Sequence, residues 1–211
     1  MPRLSWDHNA FYQRLLLRQL PPGCRRVLEV GCGAGAFAAE LGRRSERVDA
    51  IDRSPVMIDL AERRVPGNVT CILGDVLEYP LPEQSYDAIV SLTALHHVPL
   101  DRVLPVLARA LRPGGVLAVV ALPRTGRRDW GHELVGMVAQ RAFALAFCLL
   151  RKVTRRPWFS IEPSHTVMPI VGDPSLSTHD VRQIAAALLP GVSVRRLVFW
   201  RYFLLWHKPS H

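Results

Sequence analysis

Three glycines and a carboxylate carry the first chemical signal in this 211-residue chain. Gly31, Gly33 and Gly35 follow a short apolar run, Arg26 to Val30, and precede Ala36 to Leu41, whose composition is helical. Glycines placed so let the backbone turn tightly and approach a ligand that a Cβ would exclude. Asp52 lies 21 residues beyond Gly31, at the end of the next apolar run, where a carboxylate can accept both hydroxyls of a ribose. Together they imply a nucleotide-like ligand. The run departs from the GxGxxG dinucleotide fingerprint, because Gly35 comes one residue early and Glu29 sits two before the first glycine, which points away from nicotinamide and flavin. No GxxxxGK[ST] phosphate loop occurs.

These residues need elements to hold them. Trp6, Phe11, Leu15, Leu16 and Leu20 recur at helical spacing, and Pro21-Pro22-Gly23 closes that first helix. Strand and helix then alternate: a strand to Val30, a helix from Ala36, a strand over Val48 to Asp52, and a helix over Pro55 to Arg64 with Ser54 as N-cap. Strands over Val69 to Leu73, Asp87 to Leu92 and Gly115 to Leu122 follow, with a helix over Leu100 to Leu111 between the last two. This order predicts an α/β fold, a Rossmann-like seven-stranded, mostly parallel sheet with helices on both faces. Thr178 is the expected N-cap of a helix through Leu189. Val192 to Val198 and Tyr202 to Trp206 then form an antiparallel C-terminal hairpin. The expected organisation is one domain over 1–211: an N-terminal helix (1–22), a cofactor-binding core (23–122), a helical cap inserted after strand five (123–176), and a C-terminal helix and hairpin (177–211).

Val27-Leu28-Glu29-Val30-Gly31-Cys32-Gly33-Ala34-Gly35 resembles the first motif of the class I S-adenosylmethionine-dependent methyltransferases. Further matches come in that family's order: Asp52, then Gly74-Asp75-Val76, Ser85-Tyr86-Asp87-Ala88-Ile89-Val90, and Leu111-Arg112-Pro113-Gly114-Gly115. Ala94-Leu95-His96-His97-Val98 is similar to the segment ending strand four in the small-molecule and quinone-type subgroup. The resemblance implies S-adenosyl-L-methionine as cofactor. It implies that Gly31, Cys32, Gly33, Gly35 and Glu29 frame the methionine and ribose, that Asp52 holds the ribose hydroxyls, and that Asp75 and the Val76 amide, beside Gly74, read the adenine. Arg53 and Met57 would lie along the adenine face, and backbone carbonyls near Ser91 and Thr93 would accept from the methionine ammonium. His8 and Tyr12 share one face of the first helix, which would close over the methionine end. Tyr12 reads equally well as a half-buried helix residue.

Methyl transfer needs alignment, exclusion of water and, for a protonated acceptor, a base. His97 and His96, where open α/β sheets bind ligands, are the candidate bases, one of the pair being structural. His132 and His165, with Glu133 behind them, are further candidates in the cap, and His8 and Trp130 join them as candidate substrate contacts. The four cysteines form no metal-ligand spacing, so no metal is expected; with no leader pattern, they point to a reducing, cytoplasmic setting.

The chain carries a formal +9, and residues 124–156 hold eight cations against two anions, a net +6. The basicity is therefore local. That and the absence of an Asn-Pro-Pro-Tyr motif after strand four argue against a nucleic-acid substrate. Leu134 to Leu150 is apolar apart from Gly136, Gln140 and Arg141, too short and too interrupted for a span, and is expected as a buried or lid helix. Asp129, His132, Glu133, Gly136, Gln140 and Arg151 mark its polar stripe. Trp130, Phe143, Phe147, Trp158 and Phe159 are expected to line an apolar pocket for a small, fairly apolar or aromatic acceptor. Peripheral membrane contact through 130–156 and a homodimer through the same helix stay open. So does a non-methylating role for the same fold, or a membrane-surface enzyme with a lipid-like acceptor.

Overall fold

The computed structural model describes residues 6–126, 130–156, 158–159 and 174–210, without the side chains of Trp130, His132 and Glu133. Seven strands form one sheet: β1 (Arg26–Val30), β2 (Arg47–Asp52), β3 (Val69–Leu73), β4 (Tyr86–Leu92), β5 (Leu111–Ala121), β6 (Ser193–Leu197) and β7 (Arg201–His207). Their order is β3-β2-β1-β4-β5-β7-β6, parallel through β5 and antiparallel for the closing pair. The helices are α1 (His8–Leu17), α2 (Ala36–Gly42), α3 (Pro55–Glu62), α4 (Leu100–Ala110), α5 (Trp130–Thr154) and α6 (Thr178–Leu188).

Strand side chains alternate between two layers. Val27, Ala88, Val90, Val116, Ala118 and Val120 pack toward Leu16, Phe37, Leu41 and Ile58 of α1, α2 and α3. Leu28, Ile89, Leu117 and Val119 pack toward Leu104, Leu107, Val181 and Ala185 of α4 and α6. Both faces of the sheet are covered, as parallel strands require. The alternation also explains Glu29: it shares the face of Val27, so its carboxyl lies beneath α1 and α2 at 2% exposure.

One polar cluster ties three strands together inside the sheet. The Asp49 carboxylate accepts from Arg26 Nε and Nη2 at 3.0 and 2.6 Å and from the Tyr86 hydroxyl at 2.8 Å. Asp49 is buried, while Arg26 is partly open to water. Asp49→Ala is expected to cost about 3 kcal/mol in urea unfolding, because the Tyr86 hydroxyl and the Arg26 guanidinium lose a buried charged partner.

Several local expectations change. α6 is capped by Ser177 and not Thr178: Ser177 Oγ accepts from Asp180 N, and Asp180 Oδ2 accepts from Ser177 N at 2.8 Å, a reciprocal capping box. β5 begins at Leu111, four residues before Gly115, because Leu111 pairs with Tyr86 before Arg112–Gly115 loops out and the register resumes at Ala88 and Val116. α1 starts at His8, where the Asp7 carboxylate accepts from Asn9 N and Ala10 N.

The largest correction concerns α5. It is neither buried nor a lid with its apolar face inward. Gly136, Gln140, Ala144 and Phe147 face the body, so part of the expected polar stripe is the packed side. Leu134, Val135, Val138, Leu145 and Leu149 point to solvent. Among the described residues, Phe143, Phe147 and Phe159 pack against other rings. With Trp6, Phe11 and Phe199 they form an edge-to-face aromatic cluster, Trp6 standing 5.1 Å from Phe147 and 4.9 Å from Phe199 between ring centres. Such pairs are worth about 1 kcal/mol each beyond burial, enough to anchor the helix. The Trp158 indole donates to Thr154 Oγ1 at 2.9 Å and stays at the helix end.

Candidate active site

The carboxyl ends of β1, β2, β3 and β4 converge where the strand order reverses, between β1 and β4. The chain leaving β1 folds over the end of β2: Gly31 N and Cys32 N donate to Ile51 O at 2.8 and 3.1 Å. Gly33 N donates to Asp52 Oδ2 and Ser54 N to Asp52 Oδ1, both at 2.9 Å. Asp52 thus fastens the glycine turn to the start of α3, and each oxygen keeps a lone pair for a ligand. Gly31 has φ +76° and no room for a side chain, since a Cβ there would stand 2.1 Å from Ala94 Cβ.

A cleft opens above this turn, lined by Gly31, Gly33, Asp52, Arg53, Met57, Gly74, Asp75, Val76, Thr93 and His97. A second compartment continues it beneath α1, sharing Gly31, Gly33 and Thr93 and adding Glu29, Cys32, Asn9 and Gln13. Twelve of the expected cofactor or catalytic residues meet across these two compartments. Burial, with the Asp52 charge beside it, holds the Glu29 carboxyl well above the usual carboxylate range, and its Oε2 has no hydrogen-bond partner. Burial likewise pushes the Cys32 thiol up, with Glu29 and Asp52 adding to the effect, so this residue is a neutral wall and not a nucleophile.

Three expected contacts, Tyr12, His8 and Gly35, point elsewhere. Tyr12 is buried and its hydroxyl donates to Val198 O, pinning α1 to the turn between β6 and β7; burial pushes its phenol up to about 12. His8 Nε2 lies 2.5 Å from Gln140 Oε1, and its ring stacks on Phe199, so it joins α1 to α5. The Ser91 hydroxyl is fully buried and donates to Val30 O at 2.8 Å, across β4 to β1, which leaves the expectation for the backbone carbonyls near Ser91 as it stood. Gly35 caps α2, and a Cβ there would meet Ala61 at 2.9 Å, so its role is helix packing. His165 and the side chains of Trp130 and His132 lie outside the described residues. Asn9 and Gln13, absent from the sequence reading, occupy the α1 positions facing the cleft; the i, i+4 spacing that singled out His8 and Tyr12 also fits this pair, one residue on.

Beyond β4 the chain is strained. Thr93 has φ +56°, a left-handed conformation rarely adopted by β-branched residues, and is held by its amide donating to Val120 O at 2.7 Å. That turn swings His96 and His97 off the sheet end, with ring centres 3.8 Å apart. His97 lines the cofactor cleft and also a separate cavity of about 500 Å³. His96 lines only the cavity. The cavity walls are mostly apolar: Leu95, Val98, Leu122, Leu176, Ile184 and Tyr202, with Asp101 and Ser175 among the polar contacts. None of the described aromatic residues expected to line an apolar pocket is among these walls.

Burial lowers His97, with the Arg53 charge adding, and burial pushes His96 down to about 4, with His97 and Arg201 adding. Both rings are therefore neutral at pH 7. His96 is protonated near 6.5 when unfolded and only near 4 when folded, so its contribution to stability is full above about pH 6.5 and is lost as pH falls toward 4. His96→Asn is expected to flatten the fall of the thermal midpoint across that interval.

Comparison with known proteins agrees with this geometry. Residues 27–115 match the family model described as a methyltransferase domain. An uncharacterized methyltransferase of Mycobacterium tuberculosis is 34% identical over 206 residues, covering 97% of this chain and 98% of that one. The fatty-acid O-methyltransferase of Mycolicibacterium smegmatis is 35% identical over 128 residues, 56% of this chain and 46% of its own length. The N-methyltransferase NodS of Bradyrhizobium japonicum, solved with S-adenosyl-L-homocysteine, has the same fold, with a TM-score of 0.61 at 17% identity over 99% of this chain and 91% of that one. A relative matched over nearly its whole length, and a cleft whose glycine cradle and buried unpaired Glu29 oxygen suit a ribosyl amino acid, make one conclusion: the chain belongs to the class I S-adenosylmethionine-dependent methyltransferases.

Proposed function

We propose that this methyltransferase acts on a small, apolar acceptor seated in the cavity behind His97, at an O, N or C atom of that acceptor. One observation carries the reading: His97 belongs to the walls of both the cofactor cleft and the apolar cavity. A side chain in that position touches whatever passes between the two. The fatty-acid O-methyltransferase among the relatives is named for an apolar acceptor, which fits the same reading.

S-adenosylmethionine, when bound, supplies an electrophilic methyl group on a sulfonium centre. The protein's work is then to hold, align and dry the reacting atoms. Asp52 would accept from the ribose hydroxyls, Asp75 and Val76 would frame the adenine with Met57 and Arg53, and Glu29 and Thr93 would frame the methionine end. Leu95, Leu122, Leu176 and Ile184 exclude water from the acceptor. His97, neutral at pH 7, takes the proton from a protonated acceptor at one ring nitrogen. His96 packs behind it and is a positioning residue.

The test is transfer of labelled methyl groups to a panel of medium-chain carboxylic acids, phenols and amines. His97→Ala is expected to lower kcat about 100-fold on the best acceptor, the usual scale of a general base, with the affinity for S-adenosylhomocysteine changed less than about threefold. Wild-type kcat is expected to fall on the acid side only below His97's lowered pKa, and that limb is expected to vanish in the variant. Ile184→Trp, which fills the cavity, is expected to raise KM and leave cofactor affinity unchanged. Full turnover in both variants would remove the acceptor from this cavity.

A further inference from the structure

α5 presents to solvent the face that a helix of a water-soluble surface normally hides. Leu134, Val135, Val138, Leu145, Leu149 and Val153 are 48 to 73% exposed and fall on one side of the helix. The stretch Leu134–Thr154 is 21 residues long, apolar enough for a membrane interior, and its most apolar window is only 17% buried. Scattered exposed leucines are ordinary, but a contiguous stripe along one helix marks a binding surface.

The charges around the stripe decide what covers it. Between residues 134 and 156 there are five cations, Arg141, Arg151, Lys152, Arg155 and Arg156, and no carboxylate. At about 100° per residue, Arg141 and Lys152 lie within roughly 80° of the stripe's midline, close enough for their heads to reach up from its edge. Arg155 and Arg156 stand exposed just past the helix end. A second copy docked on this face would bring cations against cations with no carboxylate of the segment to answer them. An anionic lipid surface complements both the apolar stripe and the charge.

The opposite face sets the orientation. His8 meets Gln140 at 2.5 Å, and Trp6 stands 5.9 and 5.1 Å from Phe143 and Phe147, so the middle of α5, over 140–147, is pinned sideways to the body. A helix held in that way lies along an interface and does not cross it. We propose that α5 is a membrane-surface helix, which lays its outward apolar stripe into an anionic lipid interface with the basic residues at the headgroup level. The proposal stands apart from the acceptor reading, since it concerns the outer face of α5 and not the cavity behind His97.

The experiment is flotation of the intact protein with phosphatidylcholine vesicles, with and without phosphatidylglycerol as about half of the lipid. The protein is expected to float with the anionic vesicles at low salt. Binding is expected to be at least about tenfold weaker on pure phosphatidylcholine, or in about 1 M salt, where the Debye length shrinks to about 3 Å. Leu145→Glu with Leu149→Glu is expected to abolish flotation without moving the thermal midpoint or the S-adenosylhomocysteine affinity. Arg155→Gln with Arg156→Gln is expected to weaken binding about 25-fold, near fivefold for each charge at the surface. Failure of the wild type to float with anionic vesicles overturns the proposal, as does flotation indifferent to the glutamates. A concentration-dependent dimer that the glutamates dissociate, with no vesicle binding, gives the face to a second copy. Vesicle association released only by detergent makes α5 a span.

Discussion

Asp52→Ala is expected to weaken S-adenosylhomocysteine binding about 100-fold in calorimetric titration, the largest loss from any single side chain lining the cleft. Two contributions add. In the proposed reading the carboxylate is the acceptor for the ribose hydroxyls, and a charged hydrogen bond of this kind is worth about 1.5–3 kcal/mol. It also accepts from Gly33 N and Ser54 N at 2.9 Å, so its removal frees the glycine turn from the start of α3. The second contribution is separable. Asp52→Asn retains an oxygen for one of the two amides but opposes an NH₂ to the other, and is expected to lose about tenfold. Both variants are expected to keep their α/β circular dichroism, because Asp52 lies at the strand end and not in the core. An alanine variant that binds within about threefold of wild type would show that the cleft does not hold ribose at this carboxylate.

What the sequence revealed and what it hid divide along a physical line. The glycine turn and Asp52 were legible because each is fixed by its own neighbours, a turn that only glycine can make and a polar residue at the end of an apolar strand, while Gly74-Asp75-Val76 came from the resemblance to the methyltransferase motifs. β1 to β5 were legible for the same reason, since buried parallel strands read as short apolar runs between turn residues. α5 was legible as a helix and misread as to its face. Its wheel shows a wide apolar side and a narrow polar one, and the ordinary rule packs the wide side inward. Here Gly136 and Ala144 allow close approach, and the contact of the Gln140 side-chain oxygen with His8 gives that oxygen a polar partner, so the narrow side packs.

Tyr12 and His8 show a related difficulty. Their spacing shows that they share a helix face, but not which neighbour that face meets, and the neighbour is the turn between β6 and β7 nearly the whole chain away. The apolar cavity was hidden for the same reason. Leu95, Leu122, Leu176, Ile184 and Tyr202 come from five separate segments and have no periodicity in common. Only the sheet order, which places β7 beside β5, brings them together. The place of His97 at the cleft was legible because the expectation rested on the end of β4, a position set by the parallel sheet itself.

Gly31→Ala is expected to do the most damage of any single methyl group added to the protein, and a second substitution distinguishes its causes. A Cβ at position 31 would lie 2.1 Å from Ala94 Cβ, well inside contact, and 3.6 Å from Ala94 Cα, which is ordinary contact. The overlap therefore belongs almost entirely to one atom of the partner. Gly31 also has φ +76°, which costs a residue with a Cβ roughly 1–2 kcal/mol even in open space. The single variant is expected to lose about 4 kcal/mol in urea unfolding, overpacking and backbone strain together, and to bind S-adenosylhomocysteine at least about 30-fold more weakly as the turn is pushed off Ile51 O and Asp52. Ala94→Gly alone is expected to cost about 1 kcal/mol. In the double variant the overlap disappears and only the backbone costs remain, so the two substitutions are expected to be coupled by about 2 kcal/mol in the favourable direction. Simple additivity would mean that the turn yields without meeting Ala94, and that the close approach of β1 and β4 at the reversal of strand order is not what shapes the cradle. Coupling with restored binding would place the requirement for glycine at 31 in the meeting of those two strand ends, where the cofactor cleft begins.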